Sequence, residues 1–206
     1  PQYLIIKMSK ELVSAATYIV LCYAGLGVVL FLLQRSFIYF PTPFVKHEFG
    51  HLTFFNNKVS INTIYVNQAK SKAVLYFGGN AESVAYTAAE FPQKFSDTSL
   101  YFVNYRGYGG SGGSPSEAAI FSDALSLYDQ LALIHDEIFV IGRSLGSGVA
   151  TYLASKRPVE KVVLVTPFDS ILSVAQRQFP MYPMSVMLKD KFDSISYVAD
   201  ISAKVL

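Results

Sequence analysis

A G-x-S-x-G motif, Gly142-Arg143-Ser144-Leu145-Gly146, constrains the fold of this chain more than any other segment. The apolar run EIFVI leads directly into the motif, and the helix-forming run GSGVATYLASK continues from its last glycine. In such a strand–turn–helix unit the turn lifts the serine hydroxyl above the sheet, and the glycines leave room where side chains would clash. The pattern favours an α/β fold with Ser144 as nucleophile; a tight βα turn kept for packing is the alternative.

Short β-branched and aromatic runs alternate with helical stretches along the chain after residue 48. Near-continuous apolar runs of this kind are typical of parallel strands that are buried on both faces. The sequence therefore predicts a mostly parallel sheet with helices on both faces. The predicted strands cover residues 59–66, 73–77, 100–104, 138–141 and 161–165, and the predicted helices cover 82–95, a stretch from Ser114 and a stretch after Ser144.

The helix that begins near Ser114 carries a start signal of its own. Ser114 is the predicted N-cap, Pro115 occupies the first helical position and Glu117 the third, which together make a capping box. Residues 180–183 (PMYP) break the alternation after the last clear strand, and we expect an excursion over the sheet there.

A run of 22 residues without a charge, from Leu12 to Leu33, precedes this domain. As a helix it is about 33 Å long, which is enough to cross a hydrocarbon core of about 30 Å. We therefore expect an N-terminal flank over 1–11, a transmembrane helix over 12–33 and one α/β domain over 34–206.

Two other interpretations of the apolar run are less favoured. A cleavable signal peptide has a shorter apolar region that ends in a small-x-small site, and a buried core helix normally shows a polar face. Phe37, Tyr39 and Phe40 follow the run in the manner of an interfacial aromatic belt. The orientation stays open, because Lys7 and Lys10 before the run balance Arg35 and Lys46 after it.

Composition excludes several classes of protein. Hydrophobic residues make up 51% of the chain and charged residues 16%, so the composition is the opposite of a disordered segment. A net charge of +2 provides no basic field for nucleic-acid phosphates. A single cysteine, Cys22, excludes an intrachain disulfide framework and a cysteine-based zinc site.

A serine nucleophile needs backbone donors for the oxyanion that forms during attack. One donor is expected to be the N–H of Leu145, and the other should come from the loop after an earlier strand. The strand AVLYF ends at Phe77, and the amide of Asn80 or Gly79 behind it is the second candidate; a plain Gly-Gly turn is the alternative. We call the turn that carries Ser144 the elbow. We expect Arg143 to help hold the elbow or to be an exposed structural residue.

The segment 104–114, NYRGYGGSGGS, is rich in glycine. It lacks the Lys-Ser/Thr pair of a P-loop and has no G-x-G-x-x-G at a helix start, so nucleotide binding is disfavoured. We expect a structured loop that braces the rim of the site.

The segments YFGGNA, NYRGYGGSGG and GRSLGSGVA, in this order and spacing, resemble the α/β-hydrolase superfamily. Within it, the resemblance points to the membrane-anchored, serine aminopeptidase-like hydrolases of the bud-emergence type. It covers roughly residues 35–206, and an N-terminal membrane segment belongs to the same layout. Members often have His-Gly-Asn-Ala where this chain has Gly78-Gly79-Asn80-Ala81, which should cost little because the oxyanion donor is a backbone amide.

In this fold the catalytic triad runs in the chain order Ser, then Asp or Glu, then His, and the histidine must reach the serine as a general base. His47, His51 and His135 all precede Ser144. A strand of about five residues separates His135 from Ser144, so we expect His135 in a loop at the opposite end of the sheet. We expect His47 and His51 in a linker.

Four aspartates follow the nucleophile: Asp169, Asp190, Asp193 and Asp200. Asp169 ends the run VVLVTPFD at the same sheet edge as Ser144, so it is a candidate triad acid or a residue of the pocket wall. The superfamily usually places the acid after the next strand, which would begin near residues 203–206. We therefore expect a fragment with Met8 as a candidate start, lacking the last two strands, the acid and the base.

The sequence thus predicts a membrane-anchored serine hydrolase that transfers the acyl group of an ester, thioester or amide. The expected partners are the lipid bilayer and a small-molecule or peptide acyl substrate, with no metal, organic cofactor or nucleic acid. The fragment itself is predicted to be inactive. The alternatives are a non-catalytic module of the same fold that binds a lipid or protein partner, and a purely structural anchor protein.

Overall fold

The sheet has the mostly parallel architecture that the alternating runs predict. The computed structural model describes residues 2–91 and 95–206, and its seven described strands lie in the order β1-β2-β4-β3-β5-β6-β7. Strands β4, β3, β5, β6 and β7 are parallel to one another, whereas β1 pairs antiparallel with β2, and β2 with β4. The strands are β1 (Gly50–Asn56), β2 (Val59–Val66), β3 (Lys72–Phe77), β4 (Thr98–Val103), β5 (Glu137–Arg143), β6 (Lys161–Val165) and β7 (Lys204–Val205).

Helices cover both faces of the sheet, which confirms the predicted fold class. Side chains alternate along β3, so Val74 and Tyr76 pack on one side with Ala88, while Leu75 and Phe77 share the larger core with Val149 on the other. The helices are α1 (Gln2–Ile38), α2 (Val84–Glu90), α3 (Glu117–Leu131), α4 (Leu145–Lys156), α5 (Ile171–Gln178), α6 (Met184–Met187) and α7 (Ser194–Val198).

Strand β1 is an element that the sequence analysis missed. It forms a hairpin with β2 through Asn57 and Lys58, both with positive φ, which is the backbone that a two-residue hairpin turn requires. The helix predicted over 82–95 is shorter, Val84–Glu90, and residues 92–94 of that prediction lie outside the described residues.

The predicted capping box at Ser114 is wrong. Ser116 is the N-cap of α3, and its side chain accepts a hydrogen bond from the backbone N–H of Ala119. Glu117 cannot close the box because its carboxylate accepts the backbone N–H groups of Lys191 and Phe192, at 2.6 and 3.0 Å. A long-range contact thus displaces the local one.

Helix α1 is continuous across the predicted boundary at residues 33/34, and its second half packs on the domain. The ring of Tyr23 stacks on Tyr182 with centroids 4.6 Å apart, and Arg35 Nε lies 2.8 Å from Asp190 Oδ2. Tyr39 is only 3% exposed and belongs to the main core, so its assignment to an interfacial aromatic belt is wrong. The helix is nevertheless a candidate membrane anchor, because its segment Lys10–Ile38 is long and apolar enough to span a bilayer.

Candidate active site

Ser144 occupies a strained turn between β5 and α4. Its backbone has φ 50° and ψ −117°, a conformation that L residues rarely adopt, and its side chain is exposed. The backbone N–H of Ser144 donates to the carbonyl oxygen of Val165 at 2.9 Å, which ties the turn to the neighbouring strand β6. This is the geometry that the G-x-S-x-G motif predicts for an exposed nucleophile.

The two glycines of the motif are required by close backbone packing. A Cβ at Gly146 would fall on the carbonyl group of Phe77, 2.5 Å from its carbon, and 2.7 Å from the carbonyl oxygen of Gly78. A Cβ at Gly142 would lie 2.6 Å from the Cβ of Ala150. The first contact matters for chemistry, because it brings the start of α4 against the loop that follows β3.

Two backbone N–H groups of residues that line the same cavity as Ser144 have no hydrogen-bond partner among the described residues. Leu145 is the first residue of α4, so its N–H has no intrahelical acceptor, and it donates to no other described group. The N–H of Asn80 likewise donates to no described group, and Asn80 lines one cavity together with Ser144 and Leu145. The N–H of Gly79 differs, since it donates to Glu82 Oε2 at 2.8 Å. The geometry thus favours Asn80 over Gly79 as the second donor.

Glu82 organises this loop, and the sequence analysis did not identify it. Besides the Gly79 amide, its carboxylate accepts the hydroxyls of Tyr76 at 2.8 Å and Thr87 at 2.6 Å, and Arg143 Nη1 lies 3.4 Å away. The side chain is only 11% exposed. The sequence signal that could have identified it is its spacing. Glu82 follows Gly79 by three residues, as the glutamate of a capping box follows its N-cap. Arg143 therefore reaches the loop after β3 through Glu82.

The glycine-rich segment braces the same loop through two tyrosines. The hydroxyl of Tyr105 donates to the carbonyl oxygen of Gly78 at 2.8 Å, and that of Tyr108 donates to the carbonyl oxygen of Asn80 at 2.7 Å. Burial raises the pKa of Tyr105 well above its usual value and that of Tyr108 to about 12, so both hydroxyls keep the protons they donate. The segment acts as a brace, as its sequence suggested.

A second support comes from the end of α1. The side-chain Nδ2 of Asn80 donates to the carbonyl oxygen of Ile38 at 3.0 Å, and the N–H of Phe40 donates to the hydroxyl of Tyr108 at 2.9 Å. The candidate anchor and the candidate oxyanion loop are therefore joined by direct hydrogen bonds.

An apolar cavity of about 580 Å³ opens above Ser144. One wall is the end of α1, and the opposite wall comes from α5, α6 and the loop after β6. None of the described lining residues is charged. They are Leu30, Phe31, Gln34, Phe37, Ile38, Asn80, Ser144, Leu145, Thr166, Phe168, Ile171, Val174, Ala175, Gln178, Phe179, Met184, Met187 and Leu188.

Asp169 is a sequence neighbour of residues that line this cavity, but it is not itself among the described lining residues. Its Oδ1 accepts the backbone N–H of Ser170 at 2.8 Å, and its Oδ2 lies 3.9 Å from Arg177 Nη2. The neighbouring Phe168 and Ile171 line the cavity instead. A role for Asp169 as triad acid therefore stays a prediction.

The three histidines lie away from the elbow. His135 is in a loop at the opposite end of the sheet, as expected, with Nε2 2.8 Å from the Tyr101 hydroxyl and Nδ1 2.7 Å from the Lys70 carbonyl oxygen. The ring centroids of His47 and His51 are 4.4 Å apart. His51 belongs to the edge strand β1 rather than to a linker. Over residues 2–91 and 95–206, no three His, Cys, Asp or Glu residues converge on a metal site.

Comparison with known proteins agrees with this arrangement. A family model described as alpha/beta hydrolase fold matches residues 72–194. The chain is 30% identical over 198 residues to the uncharacterized protein Rv2307c of Mycobacterium tuberculosis, covering 87% of this chain and 70% of that protein. It is also 30% identical over 151 residues to the lysophosphatidylserine lipase ABHD12 of Gallus gallus, covering 65% of this chain but only 40% of the lipase.

Two further likenesses bear on the resemblance and the fold. The protein bem46 of Schizosaccharomyces pombe is 29% identical over 136 residues, 60% of this chain and 46% of bem46, which agrees with the bud-emergence type. The Pyrococcus furiosus esterase Pf2001 superposes with a TM-score of 0.60 at 18% identity, covering 81% of this chain and 76% of the esterase. The second likeness shows the fold alone.

Proposed function

The chain belongs to the α/β-hydrolase family, and from this premise we propose that it is a membrane-anchored serine hydrolase with Ser144 as its nucleophile. The observation that carries the proposal is the elbow itself. An exposed serine in a strained turn faces an apolar cavity, and the backbone N–H groups of Leu145 and Asn80, which have no partner in the described part of the chain, border the same cavity.

The proposed reaction begins with attack of Ser144 Oγ on the carbonyl carbon of an acyl substrate. The carbonyl oxygen becomes an oxyanion, which the N–H groups of Leu145 and Asn80 stabilise because both are fixed before the charge develops. The positive end of the α4 dipole points at the same place. Removal of the serine proton requires a general base, and the three described histidines do not supply it.

The cavity favours a lipid ester over a peptide. Its described lining has no charged side chain that would bind the termini of a peptide, and most of its surface is aliphatic or aromatic. Its volume of about 580 Å³ falls in the usual range for small-ligand pockets. The relative ABHD12 is named a lysophosphatidylserine lipase. We therefore propose an ester of a single long acyl chain as the substrate class.

A fluorophosphonate probe on the full-length gene product tests the proposal. The Ser144→Ala variant should lose labelling, whereas Ser196→Ala, which changes an exposed serine on α7, should label as the wild type does. Labelling that persists in the Ser144→Ala variant would show that another residue is the nucleophile. A wild-type protein that never labels would favour the non-catalytic module of the same fold.

A further inference from the structure

The segment 179–187, FPMYPMSVM, lies against the middle of α1; we call it the cap tip. Its Tyr182 stacks on Tyr23 with the ring planes 3° apart, and the Tyr182 hydroxyl donates to the carbonyl oxygen of Tyr23 at 2.9 Å. The Tyr23 hydroxyl donates in turn to the carbonyl oxygen of Met181 at 2.6 Å. A Cβ at Gly27 would lie 3.0 Å from the Tyr182 ring, so the helix has a glycine where the cap tip approaches it.

This contact lies at the midpoint of the uncharged run. Tyr23 is eleven residues from Leu12 and ten from Leu33, which is about 16 and 15 Å along a helix. If the run spans a hydrocarbon core of about 30 Å, the cap tip reaches toward the middle of the bilayer. If Tyr23 were in water, Lys10 and Glu11 would lie in the hydrocarbon core. That arrangement is unfavourable because burying charged side chains in hydrocarbon costs free energy.

The composition and exposure of the cap tip suit a lipid environment. It has no charged residue and contains three of the four methionines of the chain. Met181 is 76% exposed and Val186 is 82% exposed, so no described residue of the domain covers them. Arg177 and Lys189 flank the segment, and Lys189 Nζ lies 4.6 Å from the Phe31 ring centroid. Cations at such places extend toward lipid headgroups while their stems stay on apolar surface.

We propose that the cap tip is embedded in one leaflet beside α1, and that the cavity above Ser144 opens to the hydrocarbon there. Phe179, Met184 and Met187 of the cap tip line that cavity opposite Leu30 and Phe31 of α1. A lipid acyl chain then passes from the leaflet to the serine without crossing water. The embedding rests on the proposed membrane anchoring by α1, and the cavity's occupant rests on the proposed acyl transfer.

The absence of tryptophan from the 206 residues gives a clean depth measurement. Three single-tryptophan variants are compared in phosphatidylcholine vesicles with brominated acyl chains: Met181→Trp in the cap tip, Leu21→Trp on α1, and Leu133→Trp as a control that is 84% exposed in the turn after α3. We expect several-fold quenching and a blue-shifted emission at positions 21 and 181, and neither change at position 133.

Each result separates the claims. Quenching at 21 but not at 181 would overturn the embedding while leaving α1 in the membrane. Quenching at neither position would overturn the anchoring and the embedding together. Quenching at both positions in a protein whose Ser144 never reacts with a fluorophosphonate would support the embedding and refute the acyl-transfer role.

Discussion

Replacing Gly146 by alanine should separate the two halves of the proposed oxyanion hole. The new Cβ would lie 2.5 Å from the Phe77 carbonyl carbon and 2.7 Å from the Gly78 carbonyl oxygen. Atoms in contact are normally about 3.5 Å apart or more, so α4 must retreat from the loop after β3 by about 1 Å. Both obstacles are backbone, which cannot rotate away as a side-chain end does.

The magnitude follows from that displacement. Overpacking of this kind costs about 1–3 kcal/mol in the free energy of unfolding, and higher helix propensity of alanine offsets up to about 1 kcal/mol of it. A misplacement of about 1 Å between reacting groups lowers a rate by about a hundredfold. We therefore expect a modest loss of stability in denaturant unfolding and a large loss in the rate of fluorophosphonate labelling.

Gly148 in the same helix is the matched control. A Cβ there would lie 3.1 Å from Phe192 Cδ1 and 3.2 Å from Phe168 Cζ, which are ring atoms able to shift by a few tenths of an ångström. We expect Gly148→Ala to label within a few-fold of the wild type. If Gly146→Ala and Gly148→Ala behave alike in both assays, the close approach of α4 to the Phe77 carbonyl does not set the site geometry.

Three further predictions concern the surroundings of the site. Glu82→Ala leaves the Gly79 amide unpaired and should slow labelling by up to about a hundredfold, the effect of a misplacement of about 1 Å, whereas Glu82→Gln should lose less because its amide oxygen still accepts that N–H; equal rates would contradict the positioning role. Burial raises the pKa of Glu117 in the folded protein, so protonation of this carboxyl stabilises the fold. This contribution to the free energy of unfolding is complete below about pH 4 and is lost as the pH rises through the folded pKa. Urea unfolding of Glu117→Gln should lack this decline, and a parallel decline would refute it. The 206-residue chain, whose histidines lie away from Ser144, should hydrolyse p-nitrophenyl esters only at trace level, and efficient turnover would show that a group within these residues acts as the base.

The elbow was predictable because its determinants are local. A buried strand, two glycines and a helix-forming run lie within about twenty consecutive residues, so the strand–turn–helix geometry follows from neighbours in the sequence. The same holds for the sheet, where apolar runs mark β3, β4, β5 and β6 to within two residues. The family resemblance, drawn from three short motifs in order, was confirmed by the match over residues 72–194.

The supports of the site were not predictable, because they join distant parts of the chain. The carboxylate of Glu117 accepts the backbone N–H of Lys191, 74 residues away, instead of a group in its own helix. The side-chain amide of Asn80 donates to the carbonyl oxygen of Ile38 at the end of α1, 42 residues away. The residues next to Tyr39 in the sequence fit a membrane interface and a protein core equally well. Its edge-on packing against the ring of Phe192 places it in the core. Local patterns thus predict the turn that carries Ser144, whereas tertiary contacts decide which of the backbone amides beside it are already engaged in hydrogen bonds.

The residue that carries the covalent adduct decides whether Ser144 is the nucleophile. The full-length gene product is treated with a fluorophosphonate, digested, and analysed by peptide mass spectrometry to locate the modified residue. We expect a single adduct on Ser144, which is absent in Ser144→Ala and forms more slowly in Gly146→Ala. An adduct on any other residue, or an unmodified Ser144 in a protein that hydrolyses acyl esters, would contradict this expectation.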